Sequence, residues 1–239
     1  MLETNAKSLV ARIMQLKGLI FDLDGTLGDT LPVCFAAFRE TLRSYLGRDY
    51  SDREIRAMFG PAEEGIFQNL LGERWEEGLL HYLDAYREAH TQCPEPFPGM
   101  REALGLLHAN KIRLAIVTGK GPRSAELSLE ALGLADVFDI VQAGSAQGGV
   151  KPLCMSKVVA AWGLDPGDVA CLGDAPSDIR SAREIGAIPL GAAWASTADY
   201  DLLRSLEPHH VFRSVDEFTR WVDGMIASRA VRSNGNPPA

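Results

Sequence analysis

Apolar positions along the chain change their period after the first strand. Residues 18–21 are an unbroken apolar run, which suits a short strand covered on both faces. From Leu31 the period lengthens. Leu31, Phe35, Phe38, Leu42, Tyr45 and Leu46 recur at three- and four-residue spacing and predict one face of a helix, with Pro32 in its first turn and Gly47 as its stop. Ser51 and Glu54 read as a capping box that opens a short helix through Met58. Phe59-Gly60-Pro61 breaks that helix. Two more follow, over about 62–71 and 74–90, the second carrying Trp75, Leu79, Tyr82, Leu83 and Tyr86 as a core-packing stripe. Residues 31 to about 91 therefore predict helices and no strand.

Three prolines and a glycine between Cys93 and Gly99 then make a stiff, extended connection. Beyond it strands and helices alternate: helix 100–109, strand 112–117, helix 123–132, strand 138–142, helix 153–162, strand 169–172 and helix 177–186. Short strands at 188–190 and 210–212 and a closing helix over 215–226 complete the pattern. Residues 228–239 read as a polar disordered tail, and 1–17 as an amphipathic leader helix. Such alternation implies an α/β fold with a parallel sheet and helices on both faces. Strand 18–21 must join that sheet, because the helical segment offers it no partner. The helical segment is then an insertion. Ligands of such sheets bind beyond the carboxyl ends of the strands, where an inserted bundle would sit as a lid. The predicted division is a core of 1–29 plus 97–239 and an all-α cap of 30–96.

Bulk properties narrow the partners. The net charge of −8 disfavours nucleic acid, which needs concentrated Lys and Arg. No apolar run reaches membrane-spanning length, and the first residues lack a secretory pattern. Cys34, Cys93, Cys154 and Cys171 form no Cys-x-x-Cys pair, which disfavours zinc and suits thiols in a reducing cytoplasm. The expectation is a cytoplasmic monomer or homodimer acting on a small molecule.

The chemistry gathers at predicted strand ends. Asp22 and Asp24, two apart on an extended chain, point the same way, and Gly25 lets the backbone turn after them. Two like charges this close call for compensation, and Mg2+ would supply it. Thr118 follows strand 112–117, and the N–H groups of Thr118-Gly119-Lys120 suit a phosphate oxygen. Lys151 lies in a glycine-flexed loop before a helix. Asp174 follows strand 169–172, with Asp178 four residues on, where it also suits a helix N-terminus. No P-loop, nucleophile elbow or His-Glu-x-x-His is present.

Asp22-Leu23-Asp24-Gly25-Thr26, with Asp29-Thr30, resembles motif I of the haloacid dehalogenase superfamily. Thr118, Lys151-Pro152 and Gly173-Asp174…Asp178 are similar to its remaining motifs, in order. The resemblance implies a Rossmann-like core with a small helical cap and a phosphatase. Asp22 would be the nucleophile that forms an aspartyl-phosphate, Asp24 the general acid and then base. Mg2+ would be held by Asp22, the Asp24 carbonyl and Asp174, with Asp178 as a ligand or just behind one. Thr118 and Lys151 would stabilise the phosphoryl oxygens, and Gly25, Thr26, Gly119 and Lys120 would complete the phosphate site. An acid at Asp24 speaks against dehalogenation, and a cap segment without lysine against phosphonate cleavage. Phe59-Gly60-Pro61-Ala62-Glu63-Glu64 is similar to the cap loop of phosphoglycolate-phosphatase-like and pyrophosphatase-like members. Glu63 and Glu64 would oppose an acidic substrate if they faced the site, and Arg39, Arg43 and Arg56 would offset them. The alternatives are a β-phosphoglucomutase-like phosphotransferase and a non-catalytic interaction protein.

Overall fold

The computed structural model of the protein describes residues 16–234. The expected leader helix falls almost wholly outside them. Six parallel strands form one sheet in the order β3-β2-β1-β4-β5-β6: β1 (Gly18–Phe21), β2 (Arg113–Val117), β3 (Ile140–Gln142), β4 (Val169–Gly173), β5 (Ile188–Ala192) and β6 (His210–Phe212). Strand β1 lies at the centre, with Phe21 opposite Ile116 on one side and Leu172 on the other. Its unbroken apolar run has a direct explanation. Leu19 and Phe21 belong to one buried cluster, while Ile20 joins another across the sheet. The same alternation holds in β2 and β4, as both faces of a central parallel strand require.

The element order matches the expected alternation to within a few residues. Helices α1 (Leu31–Leu46), α2 (Asp52–Arg56), α3 (Glu63–Leu71) and α4 (Trp75–Ala89) lie between β1 and β2. Then come α5 (Met100–Ala109), α6 (Pro122–Ala131), α7 (Lys151–Trp162) and α8 (Pro176–Glu184), followed by α9 (Tyr200–Ser205) and α10 (Val215–Asn234). Met100, Leu104 and Leu107 of α5 and Phe218, Val222 and Met225 of α10 cover one face of the sheet. Met155, Val158 and Trp162 of α7 cover the other. The first four helices build a separate cluster around Phe38, Phe67, Tyr82 and Tyr86, so the aromatic stripe is core packing. The Ser51–Glu54 capping box forms in both directions.

Two differences stand out. Helix α10 continues to Asn234, so part of the segment expected to be a disordered tail is helical. Nothing between Ile226 and Asn234 breaks a helix, and Ala and Arg favour one. Helix α9 was not anticipated. It is short, and Asp199 caps it by accepting from the Leu202 N–H at 3.0 Å. All four cysteines are free.

Candidate active site

Strand β1 delivers Asp22 to the sheet's carboxyl edge, its N–H donating to the Leu172 carbonyl at 2.9 Å. The chain then closes a tight turn, with the Leu27 N–H on the Leu23 carbonyl and the Gly25 N–H on the Gly28 carbonyl, both at 2.9 Å. Gly25 has φ +73°, and a Cβ there would run into the Asp174 carboxylate. The turn is thus pressed against the end of β4. Gly25 and Thr26, expected at the phosphate site, are not among the residues that line the cleft. Thr26 is fully buried, its hydroxyl has no hydrogen-bond partner among the described residues, and its carbonyl accepts from Trp194 Nε1 at 3.1 Å. Both residues shape the turn, because a residue after Asp24 must leave the strand direction for the chain to reach α1.

The carboxylates of Asp22, Asp174 and Asp178 converge, with one oxygen from each lying within 4.8 Å of the others. Lys151, the first residue of α7, reaches into them, its Nζ 3.0 Å from Asp22 Oδ1 and 2.5 Å from Asp178 Oδ1. The other Asp178 oxygen accepts from the Ala175 N–H at 3.0 Å and caps α8. Asp178 therefore fills the helix-terminus role and the cluster role together. Gly173 permits this, since a Cβ there would overlap the Asp178 carboxylate. Burial, ahead of the partial relief from Lys151, pushes the Asp22 carboxyl up to about 7, with Asp178 and Asp24 adding repulsion. Burial, then repulsion from Asp22, Asp178 and Asp24 against the relief from Lys151, raises Asp174 well above its ordinary value. An all-oxygen, desolvated donor set that resists ionisation by itself fits a hard cation such as Mg2+.

Asp24 faces a second network. Its Oδ1 accepts from Thr30 Oγ1 at 2.5 Å, and its Oδ2 lies 3.4 Å from Lys120 Nζ. Lys120 is buried, and its Nζ also sits 3.0 Å from Cys34 Sγ and 3.6 Å from Glu63 Oε1. Thr118 lies buried at the end of β2, its hydroxyl accepting from the Lys120 N–H at 3.2 Å. Asp24, Cys34, Glu63, Thr118, Gly119 and Lys120 line one cleft of about 580 Å³ between the sheet edge and the helical insert. Leu31, Phe38, Phe59 and Ile66 make its apolar wall, and Arg56 and Arg180 line it as well.

The sequence of residues 19–191 matches the haloacid dehalogenase-like hydrolase family. The chain belongs to this family. It is 32% identical over 206 residues to a phosphoglycolate phosphatase of Chromobacterium violaceum, covering 80% of this chain and 92% of that one. It is 29% identical over 206 residues to the pyrophosphatase PpaX of Halalkalibacterium halodurans, covering 85% and 95%. The crystal structure of CbbY from Rhodobacter sphaeroides in complex with phosphate superposes with a TM-score of 0.71 at 18% identity, over 85% of this chain and 96% of that one. That likeness is one of fold.

In this haloacid dehalogenase-like hydrolase Asp22, Asp24, Thr118, Gly119, Lys120, Lys151 and Asp174 all line the cleft. Glu63, expected to oppose an acidic substrate if it faced the site, does line the cleft, but it is buried and its carboxylate is engaged, accepting from the Gly121 N–H at 2.5 Å and Ser124 Oγ at 2.7 Å. Its partners lie in the core, far along the chain, so no local spacing announces the contact. Cys34 and Ser124 were missed for the same reason. No helix among the described residues is long and apolar enough to cross a membrane.

Proposed function

We propose that the protein is a cytoplasmic, Mg2+-dependent phosphatase of small phosphomonoesters that works through an aspartyl-phosphate on Asp22. Residues 1–29 plus 97–239 serve as the catalytic core and 30–96 as the cap, and the assembly is a monomer or homodimer. The observation that carries the reading is the pairing at the centre of the sheet edge. Asp22 faces Lys151 at 3.0 Å, while Asp24, two residues on, opens to the same cleft.

Asp22 attacks phosphorus as the bond to the ester oxygen breaks, and Asp24 gives that oxygen its proton. Water then attacks the aspartyl-phosphate, Asp24 takes a proton from it, and Asp22 is regenerated as phosphate leaves. Lys151, the Thr118 hydroxyl and the Gly119 N–H receive charge on the phosphoryl oxygens. Asp22, the Asp24 carbonyl and Asp174 would hold Mg2+, with Asp178 behind them fixing Lys151. The cation, when bound, neutralises phosphate charge and offsets the repulsion among the carboxylates.

Phosphoglycolate is the leading substrate, by likeness to the Chromobacterium violaceum relative. Support within the cleft comes from Arg56 and Arg180, neither joined in an ion pair among the described residues, which suit a second acidic group. The test is phosphate release from a panel of phosphomonoesters and pyrophosphate, with Mg2+ and with EDTA, in wild type and Asp22→Asn. Mg2+-dependent turnover that Asp22→Asn abolishes is the expected result. A folded wild-type protein that releases no phosphate from any of them overturns it, and sugar-phosphate isomerisation is then the assay for a phosphotransferase.

A further inference from the structure

Lys120 belongs to the loop after β2, yet its ammonium is enclosed mainly by the helical insert. Cys34 Sγ lies at 3.0 Å, Glu63 Oε1 at 3.6 Å and the Tyr86 ring centroid at 4.4 Å, all from the insert, and Asp24 answers from the core at 3.4 Å. Glu63 is the pivot of this arrangement. It stands at the start of α3, is 5% exposed, and receives the Gly121 N–H and the Ser124 hydroxyl at the start of α6. Its carboxylate therefore seats the insert on the core and offers Lys120 a counter-charge. Next to it the Ala62 N–H donates to the Ser145 carbonyl at 2.8 Å, and a Cβ on Gly65 would overlap the Ala146 carbonyl, so α3 also lies close against the loop after β3. The two oxygens of Asp24 are thus held separately, Oδ1 by Thr30 with the Cys34 thiol at 3.8 Å, and Oδ2 by a lysine that also faces Glu63.

We propose that Glu63 is a positioning residue for Asp24: by docking α3 on the start of α6 it fixes Lys120 against the Asp24 carboxylate, so that the proton donor is oriented only when the insert is seated. This rests on the phosphatase reading, in which Asp24 serves the leaving oxygen. The insert then contributes to the chemistry of bond cleavage as well as to enclosing the substrate. Lys120, already committed to two carboxylates and a thiol, is a holder of Asp24 rather than a free receptor for phosphate.

Two readouts test it in Glu63→Ala and Glu63→Gln, with thermal melting to establish folding. The first compares kcat/KM, which reports transfer to Asp22 ahead of the hydrolysis step that both share, for an alkyl phosphomonoester, whose leaving oxygen needs a proton, and for p-nitrophenyl phosphate, whose leaving group departs without one. Both variants are expected to lose between about tenfold and a hundredfold on the alkyl ester and markedly less on the aryl ester. An equal loss on both, or none on either, overturns the proposal. The second readout is independent of activity: lysine acetylation followed by mass spectrometry. Lys120 is expected to resist labelling in the wild type and to label in Glu63→Ala to the extent seen at Lys157. A Lys120 that stays protected in folded Glu63→Ala overturns the proposal. If the wild-type protein hydrolyses neither ester, the phosphatase reading fails, and the labelling alone decides whether Glu63 holds Lys120.

Discussion

Replacing Gly25 by alanine separates two costs that coincide at the turn after β1. Gly25 has φ +73°, and so does Gly47 at the end of α1. A side chain in this left-handed region costs roughly 1–2 kcal/mol. A chain of this size then melts lower by about 2–4 °C per kcal/mol. Gly47→Ala is expected to show that cost alone, because nothing lies within 4 Å of its added Cβ. Gly25→Ala carries a further one, since its Cβ would meet the Asp174 carboxylate at the end of β4. Asp174 must move, and with it one corner of the carboxylate cluster. The expected result is a larger fall in melting temperature than for Gly47→Ala, and a loss of cation affinity of roughly 10–100-fold, the range seen when a ligand's supports are disturbed. Calorimetric melts of both variants in EDTA, followed by titration with Mg2+ or Mn2+, make the comparison. Equal melting temperatures for the two variants, or an undiminished cation affinity in Gly25→Ala, would refute the packing of this turn against Asp174.

Other outcomes follow from the same geometry. Asp22 is raised from 3.8 to about 7 in the cation-free protein, so between these values the folded state holds a proton that the unfolded chain has lost. Stability in EDTA is therefore expected to fall as pH rises through that window, and added Mg2+ to flatten the fall; denaturant titrations from pH 4 to 8 check it. For the same reason apparent cation affinity is expected to rise with pH and level off above about 7, measurable by calorimetric titration. Lys151→Met removes the cation shared by Asp22 and Asp178 and is expected to abolish turnover and destabilise the EDTA-treated protein at pH 8 by about 3 kcal/mol, read from urea unfolding. Ser51→Ala breaks the capping box of α2 at a cost of about 1 kcal/mol, with phosphate release unchanged in a steady-state assay.

What the sequence made legible depended on whether a feature is local. The strand over 18–21 and its two neighbours could be read because each is a short apolar run. Asp22, Thr118 and Asp174 could be read because each follows such a run directly, where a parallel sheet exposes its carboxyl edge. The placement of Thr26 was not legible. Its neighbours Asp24 and Gly25 carry the turn signal, whereas the burial of Thr26 under Trp194 joins distant parts of the chain. Glu63 was noticed as a charge that could face the site, but its partners were not legible, since only the fold brings Gly121, Ser124 and Lys120 to it. Helix α9 escaped because it buries little beyond Leu203 and so leaves no apolar period.

The central place of β1 has a consequence for how the chain is made. Synthesis delivers this strand first, yet its partners are Arg113–Ile116 on one side and Val169–Leu172 on the other. Until both have left the ribosome, four apolar residues and the acidic turn after them have no sheet to enter. The helical insert can assemble in the meantime from local contacts among α1, α3 and α4, and in doing so shortens the loop that must close before β1 meets β2. A segment that later encloses the cleft thus acts earlier as a spacer for assembly. The longest delay falls on the pairing of β1 with β4, the step that brings Asp22 beside Asp174.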